Sequence, residues 1–238
     1  MSNISAQEIA DAKVGQLAAD HPAATRVFAR HGLDYCCGGG RPLREACKTK
    51  GIDLNRLIGE IRRELADAPS PGEDWSQAPL AELTRHIVRT YHRPLGEELP
   101  RLESMTRKVV RAHGERDPER LEDLLAVFLG LRAELETHMR KEESVLFPMI
   151  EAGRGAGTAA PISVMEHEHE EAAAALRRIR ELTDDYAPPE GACTTWRALW
   201  HGLESLERDL REHIHLENNI LFPRALGEYD GPPGGVRK

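Results

Sequence analysis

Beyond residue 80 the chain falls into four long stretches in which apolar residues return every three or four positions. That period keeps one face of an α-helix turned toward a core. The stretches run from about Leu80 to His113, Pro118 to Glu151, Pro161 to Asp185 and Thr195 to Leu226. Their separators, 114–117, 153–160 and 187–193, carry Gly or Pro and are short enough for antiparallel neighbours. Pro118 and Pro161 suit first helical turns. The pattern predicts an all-α fold, an antiparallel up-down four-helix bundle over residues 80–226.

Residues 1–65 are patterned differently and predict a small helical N-terminal domain. Ala23–His31 and Pro42–Thr49 read as short helices around a stop, Gly-Leu-Asp-Tyr-Cys-Cys-Gly-Gly-Gly at 32–40. Leu54, Leu57, Ile58, Ile61 and Leu65 mark a third helix. Residues 66–79 hold three prolines and a glycine and read as a linker. Residues 227–238 read as a flexible tail.

The apolar stripes are interrupted, and the interruptions repeat. The second stretch has His138, then Glu142 four residues on, then Leu146-Phe147-Pro148. The fourth has His213, Glu217 and Leu221-Phe222-Pro223 at the same steps. The first and third add His92 and His169, so the bundle reads as two pseudo-symmetric hairpins. Residues four apart share a helix face. His138 continues the stripe of Phe128, Leu131 and Leu135, and Glu142 leads to Val145; His213 continues Leu203, Leu206 and Leu210. His92 lies between Val88 and Leu95, and His169 between Met165 and Ala172. All six polar groups therefore point inward. An unpaired buried carboxylate costs roughly several kcal/mol, and no Lys or Arg shares the repeat's phase. Metal ions would supply the missing charge.

Four imidazoles and two carboxylates suit iron better than manganese, calcium or zinc. Six side chains cannot fill two six-coordinate irons. Positions remain for an oxo or hydroxo bridge and a small ligand such as oxygen or nitric oxide. Glu134, one turn before His138, and Glu168, beside His169, are candidate proton relays or ion guides, with Asp209 a weaker one. Of the eleven histidines, His86, His167, His201 and His215 have polar neighbours at helical spacing. His21, His31 and His113 lie near helix ends and fit solvated or capping roles.

Composition narrows the partners. The chain is 40% hydrophobic, 30% charged and 5% aromatic, with a formal net charge of -8. No basic cluster free of acids argues for nucleic acid, and no apolar run approaches the ~20 residues of a membrane span. The N-terminus lacks a signal-peptide core, so a cytoplasmic location is the default expectation. Monomer and homodimer are both compatible. Cys36 and Cys37 are adjacent and precede a helix opening near Pro42, with Arg41 and Arg44 close by. Helix N-termini and cations lower thiol pKa, so a reactive thiolate is expected there. Cys47 and Cys193 read as structural.

Taken together, Asp34-Tyr35-Cys36-Cys37-Gly38-Gly39, Tyr91-His92, His138-x3-Glu142-x3-Leu146-Phe147-Pro148, Met165-Glu166-x-Glu168-His169 and His213-x3-Glu217-Asn218-Asn219-x-Leu221-Phe222-Pro223 resemble the repair-of-iron-centres family. These are bacterial iron–sulfur cluster repair di-iron proteins with a hemerythrin-like domain. The resemblance spans about residues 14–226, departing only in the third glycine, Gly40, and the residues before Val14. It implies a non-haem di-iron centre on His92, His138, Glu142, His169, His213 and Glu217, with both glutamates bridging. It also implies restoration of clusters damaged by nitric oxide or oxidants, by donated iron or reducing equivalents. Damaged iron–sulfur proteins or an assembly scaffold would be the partners, and Cys36 and Cys37 a redox or transfer pair. Three alternatives stand beside this: a hemerythrin-like binder or sensor of oxygen or nitric oxide, a nitric oxide or nitrite reductase, and a metal-free bundle. The repeated buried glutamates argue against the last.

Overall fold

The computed structural model describes residues 5–67 and 74–228. The described residues are helical with no strands, only an isolated bridge between Lys13 and Pro42. Two compact units emerge, Met1–Leu83 with Ile214–Lys238, and Thr84–His213. No described helix is long and apolar enough to cross a membrane. Most of the expected tail and the middle of the expected linker lie outside the described residues.

The first unit holds five short helices: α1 (Ala6–Asp11), α2 (Val14–Asp20), α3 (Ala24–Arg30), α4 (Leu43–Lys50) and α5 (Leu54–Asp67). The periodicity predicts the last three. The first two are too short to show a period, but α1 carries a local signal. Ser5 accepts from the Glu8 backbone N–H while the Glu8 carboxylate accepts from the Ser5 N–H, a capping box. Gly51 ends α4 at φ 68°, where a side chain would be strained. Val14, Val27, Phe28, Leu33, Leu43, Cys47, Leu57 and Ile61 form the core of this unit.

Four longer helices follow. Helix α6 spans 80–113 as Leu80–Ile87, a π turn Val88–His92, and Arg93–His113. Helix α7 spans 118–151 as Pro118–Lys141, a π turn Glu142–Leu146, and Phe147–Glu151. Helix α8 is Ala159–Leu182 after a 3-10 turn, Gly155–Thr158. Helix α9 spans 194–226 as Thr194–Leu216, a π turn Glu217–Leu221, and Phe222–Leu226. The all-α class stands. Within the second unit α7 packs on both α6 and α8.

The core of the second unit runs through Leu95, Leu99 and Leu102 of α6, Leu124, Phe128 and Leu131 of α7, Leu176 and Ile179 of α8, and Leu199, Trp200 and Leu206 of α9. The stripe follows the histidine in α6 and α8 and precedes it in α7 and α9.

Helix α8 stops at Leu182, short of the expected Asp185. Asp184, Asp185 and Tyr186 all have positive φ, at 48°, 58° and 60°. A left-handed turn of non-glycine residues costs about 1–2 kcal/mol per residue. Buried Glu207 offsets this by accepting from the Tyr186 hydroxyl at 2.5 Å, Arg180 Nη2 at 2.9 Å and Arg211 Nη2 at 2.7 Å. Burial alone would raise the Glu207 pKa; the Tyr186 hydrogen bond and the two guanidinium groups outweigh it and hold it low.

Candidate metal centre

Each of the four helices delivers one imidazole to the same region, at the end of its apolar stripe. His92, His138, His169 and His213 are each at most 4% exposed, and Glu142 and Glu217 are fully buried. The imidazoles converge in pairs. His92 Nε2 lies 3.2 Å from His213 Nε2, and His138 Nε2 lies 3.1 Å from His169 Nε2. Glu142 Oε2 stands 3.4 Å from both His92 Nε2 and His138 Nε2, between the pairs. Glu217 follows His213 by one helical turn. Two four-residue groups result, His92–Glu142–His213–Glu217 and His138–Glu142–His169–Glu217, with each group's ligand atoms within 4.8 Å of one another. Both carboxylates are shared, so the arrangement offers two adjacent cation positions.

Sequence periodicity did not anticipate the π turns, yet each abuts a predicted ligand. One ends at His92; the others begin at Glu142 and Glu217. Their carbonyls accept from five residues on, Glu142 from Phe147 and Glu217 from Phe222. A proline occupies the second position after each turn: Pro94, Pro148 and Pro223. A proline has no N–H to return to the carbonyl four residues back, and its ring crowds that carbonyl. That carbonyl falls inside the π turn in all three cases. Pro100 stands in α6 without such a turn, so proline permits the widening rather than dictating it. The extra residue also corrects one expectation. Val145, read as an inward neighbour of Glu142, is 50% exposed, and Leu146 takes the buried place.

The outward nitrogens are held by acids. His138 Nδ1 lies 2.9 Å from Glu168 Oε2, and Lys141 grips the other oxygen of Glu168. Burial would raise the Glu168 pKa, but the Lys141 and His138 hydrogen bonds outweigh it and keep it low. His92 Nδ1 lies 2.8 Å from Glu143 Oε1. A carboxylate on Nδ1 fixes the ring's tautomer and turns Nε2 toward the cluster. Phe147 stacks on His92 at 5.7 Å and Tyr91 on His213 at 5.2 Å, fixing ring planes from the apolar side. Glu143 and Lys141 were missed in sequence, because nothing local ties Glu143 to a histidine 51 residues away. Glu134 is exposed and stands outside both four-residue groups.

The remaining predictions divide. His167 and His201 are exposed. His215, read as having polar surroundings, is instead buried in the first unit against Tyr35, with ring centroids 5.6 Å apart. Burial pushes its pKa down to about 4. Cys47 is buried in the first core, whereas Cys193 is exposed, its Sγ 3.2 Å from His113 Nε2.

Cys36 and Cys37 sit on a turn organised by Asp34. Its Oδ1 accepts from both backbone N–H groups, at 3.2 and 3.0 Å, and from the Cys36 thiol at 3.2 Å. Asn219, two residues after Glu217, donates to the carbonyls of Tyr35 and Cys36. A Cβ at Gly39 would lie 2.7 Å from the Tyr35 carbonyl and 2.8 Å from Asn219 Oδ1, so glycine is required there; at Gly40 nothing lies within 4 Å. The expected easily formed thiolate is not found at Cys36. The neighbouring Cys37 thiol, burial and Asp34 raise its pKa well above the ordinary value.

The donor chemistry fits metal. Two wholly buried carboxylates require nearby positive charge, and mixed imidazole and carboxylate ligands suit iron. Comparison with known proteins agrees. Residues 83–225 match the hemerythrin HHE cation binding domain, and residues 10–65 match a domain of unknown function, ScdA_N. The chain is 48% identical over 220 residues to the iron–sulfur cluster repair protein YtfE of Edwardsiella ictaluri, covering 92% of this chain and 98% of the relative. The protein of the same name from Pectobacterium atrosepticum is 46% identical over 218 residues, 91% and 97% of the two chains. That of Yersinia pseudotuberculosis is 45% identical over 213 residues, 90% and 96%. Matched almost end to end by these proteins, and across its bundle by the cation-binding domain, the chain belongs to the hemerythrin HHE family, among the relatives named iron–sulfur cluster repair protein YtfE.

Proposed function

We propose that this protein is a di-iron protein that repairs damaged iron–sulfur clusters; His92 and His213 would hold one iron, His138 and His169 the other, and Glu142 and Glu217 would serve both positions. The observation that carries the reading is the pair of fully buried carboxylates shared between two imidazole pairs. Bound there, iron would supply one-electron redox chemistry, affinity for oxygen or nitric oxide, and transferable metal. The protein's own groups do the positioning. Glu168 and Glu143 hold the outward imidazole nitrogens, Phe147 and Tyr91 fix ring planes, and the core below excludes water.

The cysteine pair is the proposed contact with the partner, a damaged iron–sulfur protein or its assembly scaffold. Cys36 remains a thiol, and half-buried Cys37 is its more accessible neighbour. Asp34 and Asn219 hold the pair beside the turn that carries Glu217. In the cell the reading predicts a cytoplasmic stress-response protein.

The test is recovery of a nitric-oxide-damaged [4Fe–4S] enzyme by purified iron-loaded protein. Wild type should restore activity and His138→Ala should not. Cys36→Ala combined with Cys37→Ala should keep its iron but lose most of the repair. No recovery with fully loaded wild type would reject the reading.

A further inference from the structure

The two cation positions have the same ligand types but different surroundings. In each, an imidazole is backed by a carboxylate: His92 by Glu143, His138 by Glu168. Glu168 is 24% exposed at its side chain and is pinned by Lys141. Glu143 is 47% exposed, and among the described residues His92 is its one ion-pair partner. Glu143 also forms part of the wall of an open depression of about 430 Å³, lined by His92, Glu136, Met139, Arg140, Glu143 and Ser144. His92 is therefore a ligand whose own face meets that depression. None of the other five ligands lines it.

We infer that the position held by His92 and His213 is the exchange site of the centre, loaded and unloaded through the depression at Glu143, while the position held by His138 and His169 retains its metal. The inference rests on the di-iron reading and treats iron as cargo at one position only. The chain provides the two conditions this needs. A side chain half in water gives up a hydrogen bond more readily than one pinned by a second ion pair, because solvent replaces the lost partner. When Glu143 swings away, His92 loses the acceptor that orients it, and it alone can turn toward open space. The retained position still has His138, His169 and both shared carboxylates, and Glu168 stays clamped. Glu143 places a carboxylate on the wall beside His92, suited to a divalent cation in transit, while Glu136 on the same wall is paired with Arg132 at 2.8 Å and Arg140 also lines it. Glu143 is thus a positioning residue, acting through His92.

The experiment is anaerobic release of ferrous iron from the fully loaded, reduced full-length protein to excess bipyridine, followed by absorbance. Wild type should release its iron in two phases of one equivalent each. Glu143→Gln should speed the fast phase about 10- to 100-fold, the usual range for losing a carboxylate behind a metal-bound histidine, and leave the slow phase unchanged. Glu168→Gln should speed the slow phase instead. Glu143 is exposed, so its variant should fold, which a thermal melt checks. Release of both equivalents in a single phase from wild type would overturn the inference, as would a Glu143→Gln effect on the slow phase or on neither. A protein that takes up no ferrous iron would instead overturn the di-iron reading beneath it.

Discussion

Glu142→Gln should raise the stability of the metal-free protein and lower that of the iron-loaded one. The substitution keeps the side chain's shape and removes its charge. Glu142 is fully buried, with Oε2 3.4 Å from two imidazole nitrogens. Taking that carboxylate out of water costs roughly several kcal/mol, and one positive charge at 3.4 Å, of the kind a bound metal would supply, would return roughly 5 kcal/mol at an effective dielectric constant of about 20. Removing that charge should add about 1–3 kcal/mol to the metal-free protein, an increase of about 2–12 °C in Tm for a chain of this size. Loading reverses the sign. Iron at a thousand times its Kd adds about 4 kcal/mol to wild type, and a variant lacking a shared carboxylate gains much less. Anaerobic calorimetry of both proteins, with and without iron, reads all four values. A metal-free Glu142→Gln that melts below metal-free wild type would refute the argument, because the carboxylate would then be stabilised by the protein itself.

Other outcomes follow from the same structure. Glu207→Gln should cost about 3–5 kcal/mol by thermal melt, since it strands two arginines and the Tyr186 hydroxyl around a left-handed turn. Because the folded-state pKa of Glu207 is depressed, its contribution is complete above the ordinary carboxylate value and is lost as pH falls through the lower folded value. The gap between wild type and Glu207→Gln should therefore begin to narrow as pH falls below about 4 and close only once the lower folded value is passed; a gap that stays constant on acidification below about pH 4 would contradict the assignment. Gly39→Ala should destabilise the protein by about 1–3 kcal/mol by forcing contact with the Tyr35 carbonyl and Asn219, whereas Gly40→Ala should change its melt by less than about 0.5 kcal/mol.

Much of this fold is legible because a long helix repeats its signal many times. The bounds of α6 and α7 follow from periodicity and from Gly and Pro at the breaks. Four of the six candidate ligands, His138, Glu142, His213 and Glu217, follow from a polar break recurring at one phase in two helices, and His92 and His169 interrupt the stripes of the other two. Other features depend on contacts distant in sequence or on single turns. α1 and α2 are shorter than two periods. The left-handed turn that ends α8 leans on Glu207, 21 residues after Tyr186. Glu143 behind His92 and Tyr35 against His215 are tertiary pairings with no local trace. The thiol of Cys36 was misjudged because Arg41 and Arg44 are near in sequence, while Cys37, Asp34 and burial govern it in space. Two of the three π turns had a visible signal, the Phe-Pro phrase after Glu142 and Glu217, and the third is followed by Arg93-Pro94, but Pro100 shows that proline alone does not specify them.

The central claim is that two metal ions occupy the shared-carboxylate cluster. Iron analysis combined with Mössbauer spectroscopy of protein loaded anaerobically with ⁵⁷Fe tests it most directly. Two irons per chain, antiferromagnetically coupled after oxidation and reduced to at most one in Glu217→Ala, is the predicted result. A correctly folded chain that binds no ferrous ion, or binds it equally well without His138, Glu142 and Glu217, would contradict the account.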